Sequence, residues 1–133
     1  MKLICLLLFA IAVNPAQNKS PVGDFTKSPA EHIIIKIDQP FVVRSIKGTV
    51  IQKESSREPL ASVLFEIQGP GANRKIRRAT TDSHGRFKIG HTLPGTCKFK
   101  ATLNGFQSVM GNIVVSEKAA KTAEIKLEML VGV

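Results

Sequence analysis

The sequence predicts an all-β protein: a seven-stranded antiparallel β-sandwich following a short leader. Three observations carry this. Apolar residues recur at period two in several separate stretches, which is the pattern of half-buried strands. Gly, Pro, Asn and Asp punctuate those stretches roughly every ten residues, a spacing typical of sandwiches. Beyond the leader, no stretch follows the 3.6-residue period of an amphipathic helix.

The stretch that specifies the fold most densely is 80–106, TTDSHGRFKIGHTLPGTCKFKATLNGF. Thr81-Asp82-Ser83-His84-Gly85 reads as a tight turn. There Asp82 bonds to backbone ahead of it and Gly85 takes the backbone conformation that closes the turn. Phe87 and Ile89 alternate with Lys88 on the strand that follows. Leu93-Pro94-Gly95 reads as a second turn, with Pro94 fixing φ and Gly95 permissive. Cys97, Phe99, Ala101 and Leu103 then share one face, opposite Lys98 and Lys100, until Asn104-Gly105.

Taken in order, residues 1–16 carry the marks of a signal peptide: basic Lys2, an apolar run over 3–13, and small residues at Ala10, Ala12 and Ala16 for cleavage. The run is shorter than the ~20 residues that span a bilayer, so export to a periplasmic or secreted location is expected, without a retained anchor. Cys5 leaves with this segment, so Cys97 cannot form an internal disulfide and is read as a small buried hydrophobe. Residues 17–40 read as a spacer, polar, Pro-broken and disordered up to 31. Within it the β-forming run 33–37 (IIIKI) suits an extra edge strand or a strand-addition docking segment.

The domain is expected over 41–133. Its first strand is 42–51, with Gly48 as a bulge or a point of close approach. The second is 61–68, in which Ala61, Val63, Phe65 and Ile67 share a face. The third is the polar strand 74–81, the fourth 85–89 and the fifth 97–103. The sixth is 107–115, and the seventh, 122–131, alternates Ala123, Ile125, Leu127 and Met129 with charged residues. Residues 116–121 form a turn or short helical loop. The expected core is Val50, Val63, Phe65, Ile67, Phe87, Ile89, Phe99, Ala101, Leu103, Val114, Ile125, Leu127 and Met129.

The formal charge is +9, with 19 Lys and Arg against 10 Asp and Glu, and there is neither Trp nor Tyr. Such an excess favours anionic partners. The absence of Trp and Tyr removes most of the stacking surface that single-stranded nucleic acid uses, and export argues against nucleic acid as well. The densest basic run, Arg74-Lys75-Ile76-Arg77-Arg78, puts charge on both faces of a strand. This suits an edge protected from pairing and also makes Arg74, Lys75, Arg77 and Arg78 an anion-binding candidate for acidic glycan, lipopolysaccharide or phosphate.

Catalytic chemistry finds little support. His32, His84 and His91 open no His-x-x-Glu and no His-Glu-x-x-His, so neither a metal site nor a cofactor is expected. Asp82, Ser83 and His84 are adjacent in a turn, which is not the geometry of a nucleophilic triad.

Five pieces resemble, in this order, the carboxypeptidase regulatory-like domain, a member of the Ig-like, transthyretin-like (prealbumin-like) sandwiches. They are Gly48-Thr49-Val50, Pro59-Leu60-Ala61-Ser62-Val63, Thr81-Asp82-Ser83-His84-Gly85-Arg86-Phe87, Leu93-Pro94-Gly95 and Asn104-Gly105-Phe106. Cys97 departs from the pattern, where the family usually carries Tyr. The resemblance implies a non-catalytic module of a superfamily described as carbohydrate-binding-like. The expected function is therefore binding or assembly at a bacterial cell envelope, through an envelope protein or an anionic glycan, with a carbohydrate-binding protein as the alternative. The transthyretin-like hydrolases end in a Tyr-containing motif that this chain lacks. The Lys–Asn bond of related pilin sandwiches has an amine in Lys47 but no Asn or Asp acceptor in the last strand.

Overall fold

The computed structural model describes residues 25–28, 33–54, 56–70 and 75–132. The leader 1–16, His32 and Arg74 lie outside them. Nine strands form two sheets, and there is no helix among the described residues: β1 (Ile34–Lys36), β2 (Phe41–Val43), β3 (Ile46–Gln52), β4 (Leu64–Gln68), β5 (Ile76–Thr80), β6 (Arg86–Ile89), β7 (Gly95–Thr102), β8 (Ser108–Val115) and β9 (Ile125–Met129). The larger sheet runs β1-β8-β7-β4-β5, with β2 also on β8; the smaller runs β6-β3-β9.

Seven antiparallel strands were expected, so two things differ. First, the sheets are mixed. β4, β5, β7 and β8 pair antiparallel, as do β3 and β6, but β1 and β2 run parallel to β8, and β3 runs parallel to β9. Second, the single strand expected over 42–51 is two. Val43 and Ile46 are both buried, which one uninterrupted period-two strand cannot achieve. The chain breaks at Arg44 and Ser45 and crosses from the larger sheet to the smaller. Arg44 Nε anchors the crossing by donating to the Ala119 carbonyl at 2.7 Å.

The two sheets face each other across one core. Phe65 of β4 stacks on Phe87 of β6 in the opposite sheet, ring centroids 4.1 Å apart, and on Phe99 of β7 at 5.2 Å. Such ring pairs add roughly 0.5–1.5 kcal/mol each beyond the area they bury. Around them lie Val50, Val63, Ile67, Ile89, Ala101, Ile125, Leu127 and Met129, all expected, together with Cys97. Leu103 lies just past the end of β7 and is only partly buried, against the rim of the core.

Val114 was assigned to the wrong face. β8 turns Val109, Ile113 and Val115 into the core, while Val114 is half-buried on the outer side. Apolar residues occupy both faces of this strand, so alternation alone did not choose between them. Gly111 settles the packing, because a Cβ there would meet the Phe99 ring at 2.8 Å. Gly48 is the expected point of close approach: a Cβ would land on the Ile125 carbonyl of the neighbouring β9.

The stretch expected to be a spacer is partly built into the fold. β1 adds to β8 in register Ile34↔Ser108 through Lys36↔Met110, and Ile37 N–H extends the ladder to the Met110 carbonyl at 2.8 Å. Residues 25–28, expected to be disordered, lie against the outer face of the larger sheet, where Thr26 bonds to Glu66. The segment after β8 is a turn closed by Ala119 N–H on the Ser116 carbonyl.

Candidate functional site

The turn at 81–85 is held by one carboxylate. Asp82 Oδ1 accepts the backbone N–H of His84 at 2.9 Å and of Arg86 at 3.0 Å, while the Asp82 carbonyl accepts from Gly85. The hydrogen bonds from Arg86 and His84 favour the charged form and hold the Asp82 carboxyl below its usual range. Gly85 has φ +74°, and a Cβ there would meet the Val50 carbonyl at 2.6 Å. Gly95 has φ +136° and packs against Pro70, one residue after Pro94. Gly85, Pro94 and Gly95 offer no reactive side chain, and the Asp82 carboxylate is spent on its own turn.

The basic run is largely committed to the protein itself. Arg77 points across to the loop after β6, where its guanidinium donates to the carbonyls of Gly90 and His91, the latter at 2.9 Å, and approaches Thr92. Arg78 pairs with Glu66, Nε to carboxylate 2.8 Å. Lys75 is exposed just ahead of β5, and Arg74 lies outside the described residues. β5 lies at the edge of the larger sheet, and Arg77 and Arg78 of the candidate side chains already have partners within the protein.

A different cationic surface appears on the outer face of the smaller sheet. Strand alternation turns Ile46, Val50, Phe87, Ile89, Ile125 and Leu127 inward, so their neighbours face out. The pairing then sets Lys47 directly opposite Lys88, and Thr49 between Arg86 and Lys126. Lys53 and Arg57 continue the surface beside Ile51. Asp82, Glu124 and Glu128 are the carboxylates nearby, and Glu128 is occupied by Arg57 at 2.7 Å. No ion pair engages Lys47 or Lys88 among the described residues. Like charges directly opposite on one sheet face destabilise it, and an anion lying across them would relieve that repulsion. An open cavity of about 480 Å³ lies along this face, lined by Lys47, Thr49, Asp82, Arg86, Lys88 and Glu124 among others. Sequence reasoning missed this surface because its cations come from three strands that are distant in the chain. The only signal was that each occupies a solvent-facing position.

Among the described residues no three His, Cys, Asp or Glu side chains cluster to hold a metal ion. Cys97 is buried, and burial pushes its thiol up to about 11. No helix among the described residues is long and apolar enough to cross a membrane.

Two mixed sheets closed over an aromatic centre, with an Asp82-held turn at 81–85, define a small two-sheet β module. The family model for the carboxypeptidase regulatory-like domain matches residues 45–128, well over half of the chain, and the chain belongs to that family. No curated protein matches it. Among solved structures it is similar to 3-chlorocatechol 1,2-dioxygenase from Rhodococcus opacus, at 11% identity and TM-score 0.49, covering 82% of this chain and 70% of that one. It is similar also to hydroxyquinol 1,2-dioxygenase from Pseudomonas putida, at 11% identity and TM-score 0.49, covering 88% and 70%. Likeness at this level carries no argument about chemistry.

Proposed function

We propose that this chain is a non-catalytic binding module of the transthyretin-like sandwich kind, exported to a bacterial cell envelope, where the outer face of its smaller sheet engages an anionic polysaccharide. The observation that carries the reading is the like-charged pair Lys47–Lys88, which no ion pair engages among the described residues, with Arg86 and Lys126 on either side of Thr49. Surface cations attract an anionic polymer through many weak, salt-screened contacts and demand no deep pocket. The signal-like segment 1–16 and the family's association with carbohydrate-binding-like folds support the setting. The test is a titration of the purified chain at low salt with polygalacturonate, using neutral dextran as control. Polygalacturonate alone should bind, the binding should weaken steeply as salt rises, and Lys47→Gln with Lys88→Gln should abolish most of it. Equal binding of dextran, or an unaffected double variant, would overturn the assignment.

A second reading is favoured by β1. Among the described residues it pairs on one side only, and Ile33, Ile34 and Ile35 are 47%, 38% and 38% exposed. An open apolar edge of this kind accepts a partner strand. A protein partner lost on replacing Ile33 and Ile35 by Lys would favour assembly over glycan binding.

A further inference from the structure

The outer face of the larger sheet holds a second site of a different kind. β5, β4 and β7 align Arg78, Glu66 and Lys100 in one cross-strand row. Glu66 is 0% exposed and Lys100 3%. Charged side chains on the outer face of a strand are normally solvated. These two are buried alongside residues 25–28, and Thr26 of that segment makes three bonds to them. Thr26 N–H donates to Glu66 Oε1 at 2.9 Å, Thr26 Oγ1 donates to Glu66 Oε2 at 2.8 Å, and the Thr26 carbonyl accepts from Lys100 Nζ at 2.9 Å. Every polar group of Thr26 is used. A buried carboxylate requires such partners, since its desolvation otherwise costs several kcal/mol.

We propose that Glu66 and Lys100 form a recognition notch for one hydroxyl-bearing residue of an extended peptide, and that residues 25–28 are its resident ligand, held in cis and able to leave. The chemistry of the notch defines what fits. The two carboxylate oxygens take an N–H and an O–H from the same residue, and the ammonium takes its carbonyl. Val at the ligand position fills similar space but leaves Glu66 Oε2 with Arg78 alone. Asp or Glu there sets like charge against Glu66. Ser keeps the donor. The notch therefore selects Thr or Ser. A cavity of about 270 Å³ runs on from Thr26 and Ser28 past Ser62, Thr102 and Asn104, giving the rest of an extended segment room to lie along the sheet. This inference is independent of the cationic face on the smaller sheet.

The experiment uses the full chain. Lys27 is exposed and sits inside the docked segment, so trypsin cleaves after it only when the segment lifts off. Intact-mass spectrometry follows that cut against cuts elsewhere in the same sample. Thr26→Val should accelerate it by roughly tenfold or more, the scale of one hydrogen bond to a charged group, and Thr26→Ser should stay close to the native rate. A fluorescent peptide of residues 21–32 should then bind the Thr26→Val chain, whose notch is vacated, far better than the native chain, and Glu66→Gln in the same background should remove that binding. Equal cleavage after Lys27 in native and Thr26→Val chains would overturn the proposal. So would a peptide that binds both chains alike, or neither.

Discussion

Replacing Lys88 by Glu separates stability from binding on the smaller sheet, because the two should move in opposite directions. Lys88 lies directly opposite Lys47 across the β3–β6 ladder. Directly opposed charged pairs contribute roughly 0.2–1 kcal/mol, favourable for unlike and unfavourable for like charges. The substitution removes one repulsion and creates one attraction, so the change is up to about twice that range. Lys88 is exposed and Lys47 half-buried, which places the expected gain near the lower end, about 0.5–1 kcal/mol. Lys and Glu have similar, poor strand propensities, so backbone preference contributes little. In a domain of this size 1 kcal/mol moves the midpoint by about 4–8 °C, so Tm should rise by roughly 2–8 °C in calorimetry at low salt. The gain should shrink in 1 M salt, where the Debye length falls to about 3 Å. Binding of polygalacturonate should weaken in the same protein and lose part of its salt dependence. A lower Tm would show that Lys47 and Lys88 are not energetically opposed. Unchanged binding at low salt would show that the face is not the site.

Two further outcomes follow from packing. Gly48→Ala places a Cβ on the Ile125 carbonyl, a backbone atom that cannot move without opening the β3–β9 ladder; the loss should exceed about 3 kcal/mol, or the chain should fail to fold, as read by chemical denaturation. Cys97 should resist a maleimide probe at neutral pH until the protein unfolds. Its thiol titrates at about 11 in the folded state against 9.0 ordinarily, so between those values the unfolded chain loses a proton that the folded chain keeps. Stability should then be untouched below pH 9 and fall between pH 9 and 11 by roughly 2–3 kcal/mol. Cys97→Ala should flatten that alkaline slope, and an unchanged slope would assign it to other groups.

Much of the fold was legible where one face of a strand is apolar and the other is not. β9 is the clear case: Ile125, Leu127 and Met129 face in, Lys126 and Glu128 face out, and the pattern admits one reading. β8 admits two, since Val109, Met110, Ile113, Val114 and Val115 are apolar on both faces, and Val114 was placed inside in error. Pairing direction was not legible at all. Alternation fixes which face is buried but says nothing of the neighbour's direction, and three of the strand pairs proved parallel. The turn residues Asp82 and Gly85 were readable because their chemistry is local. Sites built by pairing were not. Lys47 and Lys88 meet only once the register is known, and residues 25–28 carry no strand signal to announce that they dock. The one hint was Glu66, a carboxylate inside the apolar run Val63-Leu64-Phe65-Glu66-Ile67, which a freely solvated strand face would not single out.

The two outer faces resolve the same excess of charge in opposite ways, and this difference argues for where an external partner goes. On the larger sheet the charges around Glu66 are satisfied from within. Glu66 sits between Arg78 and Lys100, Thr26 completes its hydrogen bonds, and Arg77 is spent on the loop at 90–92. A free anion arriving there would have to displace partners already in place and would meet a buried carboxylate. On the smaller sheet the arrangement is the reverse. Lys47 faces Lys88, Thr49 separates Arg86 from Lys126, and of the three nearby carboxylates Glu128 is taken up by Arg57, while Asp82 and Glu124 line the cavity. An incoming anion displaces nothing there and removes a repulsion that folding alone leaves standing. If the partner is an anionic polymer, as proposed, it gains most on the face of β6, β3 and β9, whereas the row around Glu66 gains only from a ligand that reproduces what Thr26 already offers.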